Sequence, residues 1–172
     1  EIQKRTVGRH RATRKFVKLD GDAHTVKTAD IGGQTVYWEE WVRDMRGRHV
    51  KYIIFMFDDR HLSKHYDIEQ QLSWTFLVDT ICNPYWTIGG RKKKKQDHDY
   101  PLAVGLWANK YDLWKDKYPY DGKIENHPIF ESFKPGLQKL NETGIPCHKY
   151  IVSAKSDSEM VYRGILTMIK DY

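Results

Sequence analysis

Asn109, Lys110, Tyr111 and Asp112 form an Asn-Lys-x-Asp group at the end of an apolar run, residues 102–108, that reads Leu-Ala-Val-Gly-Leu-Trp-Ala. The run has the length and composition of a buried strand, so the polar group falls at a strand's carboxyl end. A carboxylate at Asp112 can accept two hydrogen bonds from the Watson–Crick edge of guanine. Adenine lacks that donor pair and would leave a buried carboxylate unpaired, which strongly disfavours the wrong base. An ordinary strand end followed by a polar loop would carry the same four residues, so the rest of the chain must weigh in.

Two further groups do so. Asp30-Ile31-Gly32-Gly33-Gln34 follows a strand-like stretch, and Ser153-Ala154-Lys155 ends a short one, Lys149-Tyr150-Ile151-Val152. The elements expected around them alternate. A hairpin is predicted from residues 16–19 and 24–28 about an Asp-Gly turn. A helix carrying Trp38, Trp41, Val42 and Met45 at i, i+3, i+4, i+7 comes next, then a buried strand over 52–57. A longer helix over about 66–83 presents Trp74, Leu77, Val78 and Ile81 on one face and stops at Pro84. A helix with Phe130, Phe133, Leu137 and Leu140 precedes the 149–152 strand. The last helix, about 157–172, opens on a capping box, Ser156-Asp157-Ser158-Glu159. This order predicts a mostly parallel sheet covered by helices on both faces, with ligands bound beyond the strands' carboxyl ends. Asp30, Asn109 and Ser153 all fall on that rim.

With 172 residues the chain is expected to be one domain, residues 1–172. Its net charge of +6 is local: residues 1–18 carry seven Lys/Arg against one Glu, residues 91–95 carry five more, and the remainder is negative. Within a basic insertion over 84–100, Arg91 to Lys95 is expected to be a mobile surface loop, kept soluble by its charge. It could alternatively meet nucleic acid or an anionic membrane through phosphates. No aromatic residue is interleaved with the lysines, which argues against base stacking. Cys82 and Cys147 have no metal-ligand spacing and no nucleophile context, so a reduced, cytoplasmic setting is expected, peripheral at a membrane at most. No HExxH, CxxC or GxSxG occurs. Asp58-Asp59 could be read as an acidic metal pair, but turn or cap duty suits a strand end better.

The three groups, in this order and at these intervals, resemble the Ras superfamily of small GTPases. The Asp-Ile-Gly-Gly-Gln form followed by a Trp-containing helix is most similar to the Arf-like and heterotrimeric alpha-subunit branch. The resemblance covers residues 16–172 and implies a P-loop NTPase (Ras-like) three-layer fold whose mostly parallel sheet takes in one antiparallel hairpin strand. It implies binding of GTP or GDP with Mg²⁺, slow GTP hydrolysis, and switch segments (6–16 and 31–47) that signal to an effector or regulatory protein. By resemblance, Asp112 fixes the guanine edge and Asn109 ties the base loop to its neighbours. The stem of Lys110 lies along the base, Ala154 offers its N–H to the guanine carbonyl, and Ser153 and Lys155 flank the site. Asp30 acts on Mg²⁺ through a water, Gly33 meets the γ-phosphate, and Gln34 orients the attacking water. The threonine on Mg²⁺ is Thr6, in Arg5-Thr6-Val7-Gly8, with Thr13 as the alternative.

The departure lies at the start. The family's phosphate-cradling GxxxxGK[ST] is not found. The nearest look-alike, Gly21-Asp22-Ala23-His24-Thr25-Val26-Lys27-Thr28, has Val26 in place of the second glycine and leaves no room for a helix before Asp30. The first strand, P-loop and first helix are therefore expected from chain upstream of Glu1. A fragment completed by another chain, and a degenerate member that no longer hydrolyses GTP, are the alternatives. A nucleotide-free scaffold for protein–protein interaction is the corresponding second function, and an adaptor acting through the basic segments the third.

Overall fold

A computed structural model describes the backbone of residues 9–10, 14–19, 22–27, 30–31, 35–62 and 68–170, and side chains within 35–62 and 68–170. The expected pair of strands is present: β2 (Arg14–Leu19) pairs antiparallel with β3 (Asp22–Lys27), Leu19 opposite Asp22, and the expected Asp20-Gly21 turn lies outside the described residues. Most of the P-loop look-alike is thus strand. β1 (Arg9–His10) pairs with β4 (Asp30–Ile31).

The central sheet has three parallel strands, β5 (Tyr52–Phe57), β8 (Ala103–Ala108) and β9 (Cys147–Ile151), in the order β5-β8-β9. The hairpin forms its own two-stranded sheet rather than adding a strand to this one, which differs from expectation. Every residue of β8 is buried, as the apolar run 102–108 requires of a middle strand covered on both faces.

One face packs against α1 (Trp38–Arg48), α2 (Glu69–Cys82) and α4 (Lys134–Glu142), and the other against α5 (Ser158–Lys170). Strand alternation sorts the side chains: Phe55, Phe57, Leu106 and Ala108 meet Trp74, Leu77, Val78, Ile81 and Leu140, whereas Trp107 meets Val161, Ile165 and Met168. The apolar stripe expected of α2 is the buried one. Ile54 and Met56 lie on the α5 face of β5, an edge strand of the described sheet, and stay 36% and 43% exposed.

Three expectations change locally. The stretch carrying Phe130 and Phe133 is a 3-10 helix, Pro128–Phe133, before α4 begins, because proline at 128 and again at 135 restarts the helical register. α5 is capped by Asp157, whose Oδ1 accepts the Met160 N–H at 3.0 Å, not by Ser156 with Glu159. The segment expected as a loop is a hairpin, β6 (Tyr85–Ile88) with β7 (Arg91–Lys94), closed by Gly89 and Gly90 at φ 55° and 75°. Two glycines in left-handed conformation make the primed turn that suits a tight hairpin, a signal that outweighs the lack of apolar alternation in β7. No helix among the described residues is long and apolar enough to cross a membrane.

Candidate functional site

The carboxyl ends of β5, β8 and β9 meet at Asn109. Its N–H donates to the Phe57 carbonyl at 2.7 Å, continuing the β5–β8 ladder by one bond. Its side-chain Oδ1 accepts the Lys110 N–H at 2.7 Å and the Ala154 N–H at 3.0 Å, and its carbonyl accepts the Trp114 indole N–H at 2.7 Å. The chain then bends sharply, with Lys110 at φ 62°, into the one-turn helix α3 (Tyr111–Trp114). A bulky L-residue holds that conformation only when its surroundings impose it.

Ser153 supplies the second tie. Its Oγ accepts the Asp112 N–H at 2.9 Å, and the neighbouring Val152 carbonyl accepts the Tyr111 N–H at 3.1 Å. The loops after β8 and β9 are thus fastened at three points. Asp112 is exposed, and among the described residues its carboxylate takes no hydrogen bond or ion pair. The ammonium of Lys155 is likewise exposed.

Lys110 is anchored from β5. Its Nζ lies 2.8 Å from Oδ2 of Asp58, the residue after the strand. Asp58 is 4% exposed, and its Oδ1 also takes the Arg60 guanidinium at 2.7 Å and the Gln70 amide at 2.9 Å. Burial works against the charged carboxylate. The Lys110, Arg60 and Gln70 hydrogen bonds outweigh it and hold the carboxyl at about 2. Sequence reasoning assigned Asp58 only turn or cap duty; its position directly after the β5 strand was the available signal.

The structure therefore brings together Asn109, Lys110, Asp112, Ser153 and Ala154, with Lys155 next in the chain. It differs from expectation at one atom: the Ala154 N–H is satisfied by Asn109, so a base carbonyl would have to compete for it. Gly33, Gln34 and Thr6 lie outside the described residues, and Asp30 is described only by its backbone in β4.

The basic stretch divides. Arg91 to Lys94 are exposed along β7, with the exposed Tyr85 opposite Lys94. Lys95, expected among the exposed charges, is instead 5% exposed. Its Nζ donates to the Thr80 carbonyl and, at 2.9 Å, to the Ile81 carbonyl at the end of α2, and stands 4.2 Å above the Trp86 ring. Burial lowers its pKa to about 8. Cys147 is inert in a different way: burial pushes its thiol up to about 12.

This is an α/β protein with a polar site at the carboxyl ends of a parallel sheet. No known family's model matches the chain, and no curated protein matches it in sequence.

Proposed function

We propose that the chain is a Ras-like guanine-nucleotide switch domain of the P-loop NTPase class, binding GTP or GDP with Mg²⁺ and hydrolysing GTP. The observation that carries the reading is the rim itself. Asn109 and Ser153 consume the local backbone donors and leave the exposed Asp112 carboxylate without a partner among the described residues, as recognition of a base carrying paired N–H donors requires. A charged acceptor offered to two donors is worth more than a neutral one and discriminates sharply against adenine. The bent, Asp58-anchored Lys110 lies beside it, where its stem can cover a base face.

The phosphate end falls to Gly33, Gln34, Asp30 and Thr6 in this reading, with Gln34 orienting the attacking water and a phosphate-cradling loop supplied outside the described residues. Ile54 and Met56 accord with it. A further strand beside β5 and a helix over its α5 face, the elements that carry such a loop in Ras-like domains, would cover both side chains. The groove between α1, Phe76 of α2 and the end of β6, lined by Trp38, Val42, Phe76 and Ile88, offers a surface for an effector or regulatory protein next to the switch segment.

Titration of the intact protein with a fluorescent GTP analogue tests the reading. Displacement by GTP but not ATP, lost in Asp112→Ala, is expected. Failure to bind at millimolar nucleotide would leave a nucleotide-free scaffold. The exposed cations of β7 favour a second reading, contact with an anionic membrane surface. Charge-neutralised variants at 91–94 would then lose binding to phosphatidylserine vesicles while keeping nucleotide.

A further inference from the structure

We infer that His49, His98 and Asp99 form a site for a divalent transition-metal ion of the zinc class, fastening the end of α1 to the turn that leads into β8. The three residues come from two elements far apart in sequence. His49 is the residue that ends α1, held in the left-handed conformation at φ 47°. His98 and Asp99 lie in the 3-10 turn Asp97–Asp99.

Their donor atoms converge on one carboxylate oxygen. Nδ1 of His49 is 3.2 Å from Oδ1 of Asp99, and Nε2 of His98 is 3.8 Å from the same atom. The two imidazole rings meet edge to face with centroids 4.8 Å apart, and all three donor atoms lie within 4.8 Å of one another. Metal–ligand bonds of about 2.0–2.2 Å in a tetrahedral centre place neighbouring donor atoms about 3.3–3.5 Å apart. The His49–Asp99 spacing is already close to that, and the exposed His98 ring has to turn inward to close a spread of donor atoms that reaches 4.8 Å.

The carboxylate is oriented as metal ligands are. Asp99 is buried, and its second oxygen accepts the Gln96 N–H at 3.0 Å, leaving Oδ1 to face the imidazoles. The Lys51 ammonium donates to the His98 carbonyl at 3.1 Å and fixes the backbone of the turn. Two neutral imidazoles and one carboxylate suit zinc, nickel or copper rather than magnesium, which prefers an all-oxygen shell. The site is thus chemically distinct from any Mg²⁺ bound with nucleotide, and does not rest on the nucleotide reading. Both histidines are half-exposed, so an ion enters from solvent and keeps a coordination position for water.

The test uses the full protein, freed of metal by a chelator, with Co²⁺ as the optical probe and Zn²⁺ as competitor. Expected are visible Co²⁺ bands that saturate at one ion per chain, their displacement by Zn²⁺, and a Zn²⁺-dependent rise in melting temperature. His98→Ala and His49→Ala, both at exposed side chains, should each weaken binding about tenfold or more, whereas His148→Gln should not. Asp99 is buried and also holds the Gln96 N–H, so the variants at the two exposed histidines decide the question. Absence of Co²⁺ bands at millimolar metal, or binding that survives in the His49→Ala/His98→Ala double variant, overturns the proposal.

Discussion

The Oδ1 of Asn109 accepts the backbone N–H of Ala154 at 3.0 Å, joining the ends of two adjacent parallel strands through a residue 45 positions away. One side-chain atom thereby sets the relative position of the two loops that form the rim. Asn109→Ala removes that bond and the one to the Lys110 N–H together, leaving two half-buried donors to find water. A loss of about 1–3 kcal/mol in urea unfolding is expected; the proposed function adds that guanine-nucleotide binding weakens beyond what partial unfolding explains.

Asp112 predicts a change of specificity and not only a loss. Xanthine carries a carbonyl where guanine carries its exocyclic amine, so it asks for a donor where guanine asks for an acceptor. Asp112→Asn supplies that donor. Competition between GTP and XTP for a fluorescent analogue should shift toward XTP by one to a few powers of ten, on the order of the discrimination a hydrogen-bonded site achieves. Unchanged preference would place the base elsewhere.

Asp58 makes stability acid-sensitive. Its carboxyl sits at about 2 in the folded protein against an ordinary 3.8. A carboxyl lowered on folding contributes stability that is complete above the unfolded value and lost as pH falls through the folded one. Chemical unfolding followed between pH 5 and pH 2 should show this loss, and Asp58→Asn should flatten the profile. The variant should also cost about 1–3 kcal/mol at neutral pH, because Lys110 and Arg60 lose their charged partner and one acceptor oxygen is left where two served Lys110, Arg60 and Gln70.

Lys95 gives the opposite window. Its pKa falls from 10.5 to about 8 on folding, so between those values the folded state holds fewer protons than the unfolded one. Stability should therefore rise with pH from about 8 to 10.5, seen as a slope in the unfolding midpoint that Lys95→Met removes. The same variant leaves the Thr80 and Ile81 carbonyls unsatisfied, at a cost of about 1–3 kcal/mol.

Gly164 lies inside α5, where alanine would ordinarily stabilise a helix by about 1 kcal/mol. A Cβ at 164 would stand 2.9 Å from the fully buried Trp107 ring. Gly105 approaches the same indole from within β8. Gly164→Ala should accordingly destabilise the protein, by about 1–3 kcal/mol as for an overpacked core. A higher melting temperature in the variant would show that the indole has room to move.

Much of the fold could be read along the chain. The buried run of β8, the α2 stripe from Trp74 to Ile81 and the antiparallel pairing of β2 with β3 are local patterns, and local patterns follow from the periods of strand and helix. The Asn109–Asp112 and Ser153–Lys155 groups were legible for the same reason, as polar residues at the end of an apolar run. The β6–β7 hairpin is hard to read along the chain because the charges of β7 hide its strand character, and only the paired glycines at 89 and 90 mark the turn. Lys95 was misplaced because nothing in a run of five cations marks which one folds inward; only the seat it takes against the α2 carbonyls and Trp86 does that.

By itself, then, the sequence determined the alternation of elements, the faces they bury and the residues at the strand ends, all of which depend on spacing within a few residues. The tertiary structure alone decided which distant groups share a place: Asp58 with Lys110, Asn109 with Ala154, and His49 with His98 and Asp99. Those encounters depend on strand register and on how helices settle onto the sheet. They are set by packing summed over the whole core, which no local run of residues carries.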